Sequence, residues 1–213
     1  MILGIMGKAQ HGKDTLGKML ADGFYEITHK KYVLMAYGTE LKRKVQADFD
    51  LNYEQLWGNG KETPDPRFPK PIRAETDYQK YWTPREILQN YGQFYRTVFP
   101  DFWVRALFDV IEDKKYENVI ITDARHINEV KAVKSRKGFV IKIVRNIETG
   151  VHNQNHISET ALDKYKADFV IKNYGSLPDL RKSSDELVKA LVNFTKDIKI
   201  IGGKNGEEQR FEF

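Results

Sequence analysis

Glycines and a lysine near the N-terminus have the spacing of a phosphate-binding loop. The stretch runs Gly7-Lys8-Ala9-Gln10-His11-Gly12-Lys13-Asp14-Thr15. Glycines let a backbone curl until successive amide N–H groups point at phosphate oxygens, and the lysine reaches the β- and γ-phosphates. The stretch follows the apolar run Ile2 to Met6 and precedes an amphipathic pattern, so a helix N-terminus adds positive potential. We therefore predict that Gly7, Gly12 and Lys13 bind ATP, rather than form a turn that binds nothing.

Asp14 departs from the usual P-loop pattern, in which Ser or Thr directly follows the lysine. The hydroxyl is delayed by one position, to Thr15. Mg²⁺ prefers hard oxygen ligands and keeps several waters, so Asp14 can hold the ion directly or through water, while Thr15 serves the metal or a phosphate. We predict that both residues contribute to the ATP and Mg²⁺ site. The alternative for Asp14 is a first-turn carboxylate that interacts with the helix dipole.

Three further charged residues close two predicted strands. Asp123 and Arg125 follow Val119 to Thr122, and Arg145 follows Phe139 to Val144. Because the carboxyl ends of parallel strands face the ligand crevice, we predict that Asp123 orders the waters of Mg²⁺ or contacts the acceptor. The two arginines are predicted to neutralise charge on the transferring phosphoryl group. The alternatives are a helix N-cap for Asp123 and surface ion pairs for the arginines.

The sequence Thr83-Pro84-Arg85-Glu86 predicts a helix start, because it has a capping hydroxyl, a proline in the first turn and a glutamate three residues after the cap. The helix is predicted to run from about Pro84 to Val98. Arg85 and Gln89 then share one face, where a guanidinium can take a phosphate and an amide can pair with a base edge. A solvated helix face is the alternative.

Trp103 and a pair of histidines can each be interpreted in two ways. Trp103 either stacks on the acceptor base or anchors the helix that carries Leu107 and Ile111. His152 and His156 have a spacing that zinc sites use on helices, but the intervening Asn-Gln-Asn favours a loop without a metal. For His11 we expect a contribution from its backbone N–H rather than from its imidazole.

Alternation of apolar runs with helical patterns predicts a layered α/β fold. Five runs are predicted to be buried strands, namely Ile2 to Met6, Val33 to Ala36, Val119 to Thr122, Phe139 to Val144 and Phe169 to Ile171. Their near-continuous hydrophobicity is typical of a parallel sheet that is covered on both faces. Helical patterns lie between them, so we predict a three-layer fold with a central five-stranded parallel sheet.

Length, composition and charge narrow the class of protein. The 213 residues suit one domain, and the absence of cysteine excludes a disulfide framework and a thiolate metal site. The net charge of +5 is spread along the chain, so nucleotide phosphates suffice as the anionic partner and a nucleic-acid polymer is not expected. No signal peptide or membrane span is recognisable, and we expect a soluble, cytoplasmic protein without a membrane partner.

The chain resembles the bacteriophage-type deoxynucleoside monophosphate kinases, a branch of the P-loop nucleoside monophosphate kinase fold, over roughly residues 1–191. The resemblance rests on blocks that occur in the same order, namely Gly12 to Thr15, Leu41-Lys42, Thr83 to Gln89 with Gly92, Asp101 to Val104, Asp123 to Arg125 with Asn128-Glu129, Val144-Arg145, His156 to Glu159 and Asn173 to Ser176. It implies ATP-dependent phosphorylation of deoxynucleoside monophosphates with Mg²⁺ as cofactor.

The resemblance also implies roles and boundaries. It makes Lys42 an acceptor-binding residue and Asn173 an ATP-binding residue. Trp57 to Trp82, a long excursion, matches poorly, so the acceptor-binding arginine there is either Arg67 or Arg73, of which we choose Arg73. We expect one kinase domain, with a core at about 1–36 and 119–196, a monophosphate-binding insert at about 37–112, a lid at about 146–158 and a polar tail at 202–213.

Two other functions remain open at this stage. One is a P-loop kinase that acts on another small metabolite. The other is a nucleotide-binding switch, which the absence of an Asn-Lys-x-Asp guanine-reading motif disfavours. A homodimer is a possible assembly, and the host cytoplasm is the expected location if the chain is encoded by a virus.

Overall fold

The structure, a computed structural model, describes residues 1–71, 80–145, 162, 164–201 and 211–212. Its sheet is built from the strands β1 (Ile2–Met6), β2 (Val33–Met35), β3 (Val119–Ala124), β4 (Phe139–Val144), β5 (Phe169–Lys172) and β6 (Phe211–Glu212). The strand order is β2-β3-β1-β4-β5-β6, and the neighbouring strands are parallel. The predicted five-stranded parallel sheet is therefore confirmed. The short strand β6 adds to its edge and arises from the predicted polar tail.

Strand β1 occupies the middle of the sheet because it is apolar along its whole length. Its neighbours are β3, with Ile2 opposite Val119, and β4, with Leu3 opposite Phe139. Leu3 and Ile5 have no solvent exposure. The end of β1 is thus fixed between two strands, and the loop that follows it starts from a rigid position.

Helices cover both faces of the sheet. On one face, α1 (Lys13–Thr28) and α7 (Leu177–Ile201) pack with the strands in one buried apolar cluster. On the other face lies α6 (Ile127–Ser135), since a Cβ built on Gly4 would come within 3.0 Å of Val133 on that helix. Successive side chains of a strand point to opposite faces, so Gly4 faces away from the cluster that contains its neighbours. The three-layer α/β prediction is confirmed.

The chain divides into two compact units, residues 1–36 with 110–213 and residues 37–109. The second unit contains α2 (Tyr37–Phe49), α3 (Tyr53–Leu56), a 3₁₀ helix (Gly60–Glu62), α4 (Pro84–Val98) and the larger part of α5 (Phe102–Asp113). It has its own buried apolar cluster, formed by Val45, Leu51, Leu56 and Ile87. A separate core is what allows a segment of this length to form a unit of its own.

Helix α4 begins and ends at the predicted residues. The Thr83 hydroxyl accepts from the backbone N–H of Glu86, and the Glu86 carboxylate accepts from the backbone N–H of Thr83 at 2.9 Å. This reciprocal pair satisfies two amides that the helix itself leaves without partners. The predicted capping box is confirmed, and it fixes the position from which Arg85 and Gln89 project.

Several predicted features lie outside the described residues. Residues 72–79 include Arg73, and residues 146–161 include the predicted lid with His152 and His156. Residues 202–210 of the predicted tail are also outside. In the part of the chain that the structure describes, no helix has both the length and the apolar character needed to cross a membrane.

Candidate active site

Glycines shape the loop between β1 and α1. A Cβ on Gly7 would lie 2.6 Å from the carbonyl oxygen of Ile143, so only glycine allows the chain to leave β1 this close to β4. Gly12 has φ of +96° and precedes the first residue of α1. A left-handed conformation costs an ordinary residue about 1 kcal/mol or more. The two glycines of the motif therefore each meet a specific requirement of the loop.

The N-terminus of α1 carries no capping side chain, because its N-cap residue is Gly12. The first amides of a helix have no partners within the helix, and they carry the positive end of its dipole. Ser, Thr, Asp or Asn would commonly occupy those amides at this position. Glycine has no side chain that would compete with the oxygens of a phosphate for these amides.

Lys13 folds back onto the loop. Its Nζ donates to the carbonyl oxygens of Gly7 and Lys8, each at 2.7 Å, and the residue is only 8% exposed. Burial to this extent is unusual for a lysine. It has a physical reason, since two carbonyl dipoles compensate the ammonium for lost water. The loop thus holds a positive charge in position before any anion binds.

Asp14 is oriented by a residue that the sequence analysis did not select. The buried hydroxyl of Thr122, in β3, donates to Asp14 Oδ1 at 2.6 Å. Gly17 makes this contact possible, since a Cβ there would lie 2.6 Å from Thr122 Cγ2 and would push α1 away from β3. In the sequence, the signal for this contact was a hydroxyl at the end of a predicted strand, together with a glycine one helical turn after Asp14.

The oxygen donors near the start of α1 fit a magnesium ion. Asp14 and Thr15 offer a carboxylate and a hydroxyl, and Thr122, which bonds Asp14, directly precedes Asp123 in the chain. Among the described residues, no three or more acidic or histidine side chains form a metal-binding cluster. Mg²⁺ commonly takes one or two carboxylates and completes its shell with water and phosphate oxygens.

A buried carboxylate fixes the turn that carries Arg125. Glu129 is 2% exposed, and its Oε2 accepts from the backbone N–H groups of Arg125, at 2.7 Å, and His126, at 3.0 Å. Charge-assisted bonds of this kind hold a backbone firmly. From the sequence, Glu129 is recognisable only as part of the resemblance. Its position three residues after His126, at the start of α6, is the signal of a capping carboxylate.

The ends of β4 and β5 meet the phosphate loop. Asn173 directly follows β5, and its backbone N–H donates to the carbonyl of Val144 at 2.8 Å. Its side-chain Nδ2 donates to the carbonyl of His11 at 3.0 Å, and the His11 ring Nδ1 lies 3.3 Å from the carbonyl of Ile143. Arg145 is exposed and comes directly after Val144.

The predicted residues of the first unit therefore gather at one edge of the sheet. All of them lie at or next to the carboxyl ends of strands β1, β3, β4 and β5, and they are Gly7, Gly12, Lys13, Asp14, Thr15, Asp123, Arg125, Arg145 and Asn173. This is the edge at which parallel α/β sheets bind their ligands. The predicted acceptor residues Lys42, Arg85, Gln89 and Trp103 belong to the second unit, residues 37–109.

Arg85 sits in a charged group on the second unit. It is exposed on α4, and its Nε donates to the carboxylate of Glu62 in the 3₁₀ helix. Burial lowers the pKa of the neighbouring Lys61, and the positive charge of Arg85 lowers it further. Gln89, one turn along the same helix, is half-buried. The charges of Arg85, Lys61 and Glu62 thus lie close enough together to influence one another.

Lys42 and Trp103 have different environments within the same unit. The Nζ of Lys42 lies 5.5 Å from the centre of the Trp57 ring, a cation–π contact. Trp103 is 1% exposed, and its indole N–H donates to the carbonyl of Gly92 at 3.1 Å. A ring enclosed in this way has no face available for a base, so we assign Trp103 to core packing, the alternative interpretation, and leave it out of the acceptor site.

The Arg67 guanidinium pairs with the carboxylate of Asp65. Its Nη2 donates to Asp65 Oδ2 at 2.7 Å and its Nε to Asp65 Oδ1 at 3.1 Å, while Nη1 donates to the carbonyl of Asp50. Asp65 is 6% exposed, and the hydrogen bonds from Arg67 hold the pKa of its carboxyl well below the ordinary range. Of the two candidate arginines, Arg67 therefore anchors the excursion, and the predicted Arg73 lies among the residues that are not described.

The parallel sheet with a phosphate loop between β1 and α1 defines a P-loop-type kinase fold. The family model for deoxynucleotide monophosphate kinase matches residues 68–183, more than half of the chain. The chain belongs to the deoxynucleotide monophosphate kinase family, and it is a nucleotide monophosphate kinase. The resemblance that the sequence predicted is thereby confirmed.

The chain is also similar to individual known proteins. A protein of Acanthamoeba polyphaga mimivirus, named "Putative deoxynucleotide monophosphate kinase", is 29% identical over 181 residues, which cover 81% of this chain and 88% of the relative. Among solved structures, shikimate kinase from Aquifex aeolicus has a TM-score of 0.43 at 16% identity, covering 95% of this chain and 100% of that one. Dephospho-CoA kinase from Campylobacter jejuni has a TM-score of 0.47 at 15% identity, covering 91% and 98%.

Proposed function

We propose that this kinase transfers the γ-phosphoryl group of ATP to deoxynucleoside 5′-monophosphates and forms the diphosphates. The observation that carries the proposal is the loop before α1, where an uncapped helix N-terminus and the Lys13 ammonium converge on one short stretch of backbone. Membership of the family supports a monophosphate as the acceptor. The deoxyribose preference is taken from the name of that family.

Binding of ATP uses charges that are already in place. The amides of the loop and of the first turn of α1 take phosphate oxygens. Lys13 exchanges the carbonyl oxygens of Gly7 and Lys8 for the β- and γ-phosphates, a small movement because the ammonium is held against the same loop. Preorganised charge of this kind stabilises a transition state without reorganisation during the reaction.

Asp14 and Thr15 are the residues that we propose to hold Mg²⁺, with Asp123 contacting it through water. A bound Mg²⁺ ion would supply positive charge next to the phosphates of ATP. Thr122 contributes by orienting the Asp14 carboxylate through its hydroxyl group.

The acceptor is proposed to bind the exposed face of α4, with help from Lys42. The Arg85 guanidinium leaves Glu62 and forms a two-pronged contact with the acceptor phosphate. Gln89 offers a donor and an acceptor to the base edge. Arg73 remains a proposed further contact of the phosphate.

Transfer is proposed to proceed in line, without a covalent intermediate. Arg125 and Arg145 neutralise charge on the transferring group, since arginines perform this role in phosphoryl transfer. Glu129 supports Arg125 by fixing the turn that carries it. Most of the catalytic effect then comes from positioning and electrostatics rather than from acid–base chemistry.

An acceptor panel tests the proposal. Release of ADP is measured with ATP and Mg²⁺ against each common deoxy- and ribonucleoside monophosphate, and against shikimate and dephospho-CoA as unrelated acceptors. We expect rapid release only with deoxynucleoside monophosphates. Turnover with a different metabolite would replace the proposed substrate, and slow hydrolysis that no acceptor stimulates would favour a nucleotide-binding switch.

A further inference from the structure

Residue His11 lies in the phosphate loop and is held from two directions. Its imidazole contacts the carbonyl of Ile143 on β4, with Nδ1 and the oxygen 3.3 Å apart. Because a carbonyl oxygen only accepts, we assign the proton to Nδ1. Its own carbonyl accepts from the side chain of Asn173, after β5, at 3.0 Å. Side chain and backbone of one loop residue are thus tied to two different strand ends.

The backbone on either side of His11 needs such support. Gln10 has φ of +61° and Gly12 has φ of +96°, so His11 lies between two left-handed residues. A left-handed conformation in a residue with a Cβ is unfavourable, and it persists only when the surrounding structure enforces it. The contacts of His11 act at the point where this enforcement is required.

The packing around Asn173 leaves little freedom for another arrangement. Asn173 is 7% exposed, and its Nδ2 lies 2.9 Å from the place where a Cβ of Gly12 would be. Its backbone N–H is bonded to Val144, so the residue is fixed at its main chain as well as at its side chain. The amide nitrogen of Asn173 is therefore directed at the loop backbone.

We propose that the His11 imidazole and the Asn173 carboxamide are positioning residues that hold the phosphate loop in the conformation that binds ATP. The inference rests on the proposed function and deepens it. It changes the role of Asn173, which acts through the loop rather than by contact with the nucleotide. The His11 imidazole bonds to Ile143, and the backbone N–H of Asn173 bonds to Val144, so both residues also link the loop to the strand end that precedes Arg145.

Direct binding of a non-hydrolysable ATP analogue to the full chain, measured by calorimetry, tests this role. The variants are His11→Leu and Asn173→Leu, which remove the donors with little change in volume, and His11→Asn, whose amide nitrogen takes the place of Nδ1. Ser184→Ala is the control, because this buried hydroxyl of α7 has no hydrogen-bond partner among the described residues. Thermal unfolding of each unliganded variant confirms that it is folded.

We expect the dissociation constant to rise about three- to tenfold for each leucine variant, as for the loss of one hydrogen bond. The double leucine variant should lose less than the product of the two effects, because both bonds act on one segment. His11→Asn should recover most of the affinity, and Ser184→Ala should bind as the wild type. In steady-state assays the KM for ATP should rise while the KM for the acceptor stays unchanged.

Three results would overturn the inference, each in a different way. If the wild type binds the analogue and folded His11→Leu and Asn173→Leu bind it within twofold of the same affinity, the positioning role is wrong and the proposed function stands. A wild type that does not bind the analogue would contradict the proposed function itself. If Asn173→Leu does not fold, the comparison of His11→Leu with His11→Asn decides. Equal loss of affinity for the ATP analogue in those two variants would also count against the inference.

Discussion

At the residue scale, the charge of Lys13 is the property on which the chemistry most depends. Its ammonium is fixed by two carbonyl oxygens at 2.7 Å, within the loop where phosphates are proposed to bind. Lys13→Ala should lower kcat by at least about 10²–10³-fold, the effect of losing one preorganised charge at a transition state. Lys18→Ala, an exposed lysine on α1, is the control and should retain full activity. Near-normal turnover of Lys13→Ala would contradict the proposed role of the loop.

The contact between Thr122 and Asp14 leads to a prediction about magnesium. Asp14→Ala should raise the Mg²⁺ concentration for half-maximal activity by about tenfold or more, and Thr122→Val should raise it less, because it removes only the orienting bond. The measurement is a Mg²⁺ titration at saturating ATP. Asp22→Ala, an exposed carboxylate on α1, should leave the titration unchanged. If Asp14→Ala also leaves it unchanged, Asp14 serves the helix dipole alone.

At the scale of elements, α4 presents two side chains whose functions should separate. Arg85→Ala should weaken every monophosphate similarly, by about 1.5–3 kcal/mol, because all acceptors share the phosphate. Gln89→Ala should change the ranking among bases, since an amide discriminates by donor and acceptor pattern. The measurement is kcat/KM for each deoxynucleoside monophosphate with ATP saturating.

Glu62 offers a matched variant whose expected effect on acceptor binding is opposite to that of Arg85→Ala. The Glu62 carboxylate holds Arg85 in the unliganded protein, so Glu62→Gln should release the guanidinium and lower the KM for the acceptor. The KM for ATP should not change in any of the three variants. Equal losses across all bases for Gln89→Ala would exclude base reading, and an unaffected Arg85→Ala would remove α4 from the acceptor site.

The excursion before α4 is anchored by Asp65, and its stability should depend on pH. The pKa of Asp65 is lowered in the folded state, so its contribution to stability is present above its ordinary value of 3.8 and is lost as the pH falls through the folded value. Asp65→Asn should cost about 2 kcal/mol of unfolding free energy at pH 7, as for a charge-assisted hydrogen bond. The difference from the wild type should shrink below about pH 4.

Tryptophan fluorescence measures this effect in the relevant unit, because Trp57, Trp82 and Trp103 all lie within residues 37–109. Urea unfolding at pH 7 and at about pH 2.5 gives the two free energies, because the second pH lies well below the ordinary pKa of an aspartate. Asp109→Asn, at an exposed carboxylate of the same unit, is the control and should show little effect at either pH. A cost for Asp65→Asn that does not depend on pH would contradict the assigned ion pair.

At the scale of the whole molecule, the layered fold could be predicted because its signals are local. Each strand of the parallel sheet is a short apolar run, and α4 begins with its own cap. Strand β6 could not be predicted, since two residues are too few to show periodicity. The phosphate loop could be predicted from the sequence for the same reason as α4, because its residues are neighbours in the chain.

The supporting contacts of the site could not be predicted, because they join distant parts of the chain. Thr122 lies 108 residues from Asp14, and Asn173 lies 162 residues from His11. No spacing rule connects such pairs. The pairing of β1 with β3 brings the first pair together, and the pairings of β1 with β4 and of β4 with β5 bring the second pair together. The burial of Trp103 likewise depends on how α4 and α5 pack, so its sequence left both interpretations open.

The central claim is that a phosphoryl group moves from ATP to a deoxynucleoside monophosphate, and following that group tests it most directly. The protein is incubated with ATP labelled in the γ-phosphate, Mg²⁺ and each deoxynucleoside monophosphate in turn, and the labelled products are separated and identified. We predict that the label appears in the β-phosphate of a deoxynucleoside diphosphate and that Lys13→Ala forms none of this product. Label found only in inorganic phosphate, with every monophosphate recovered unchanged, would contradict the claim.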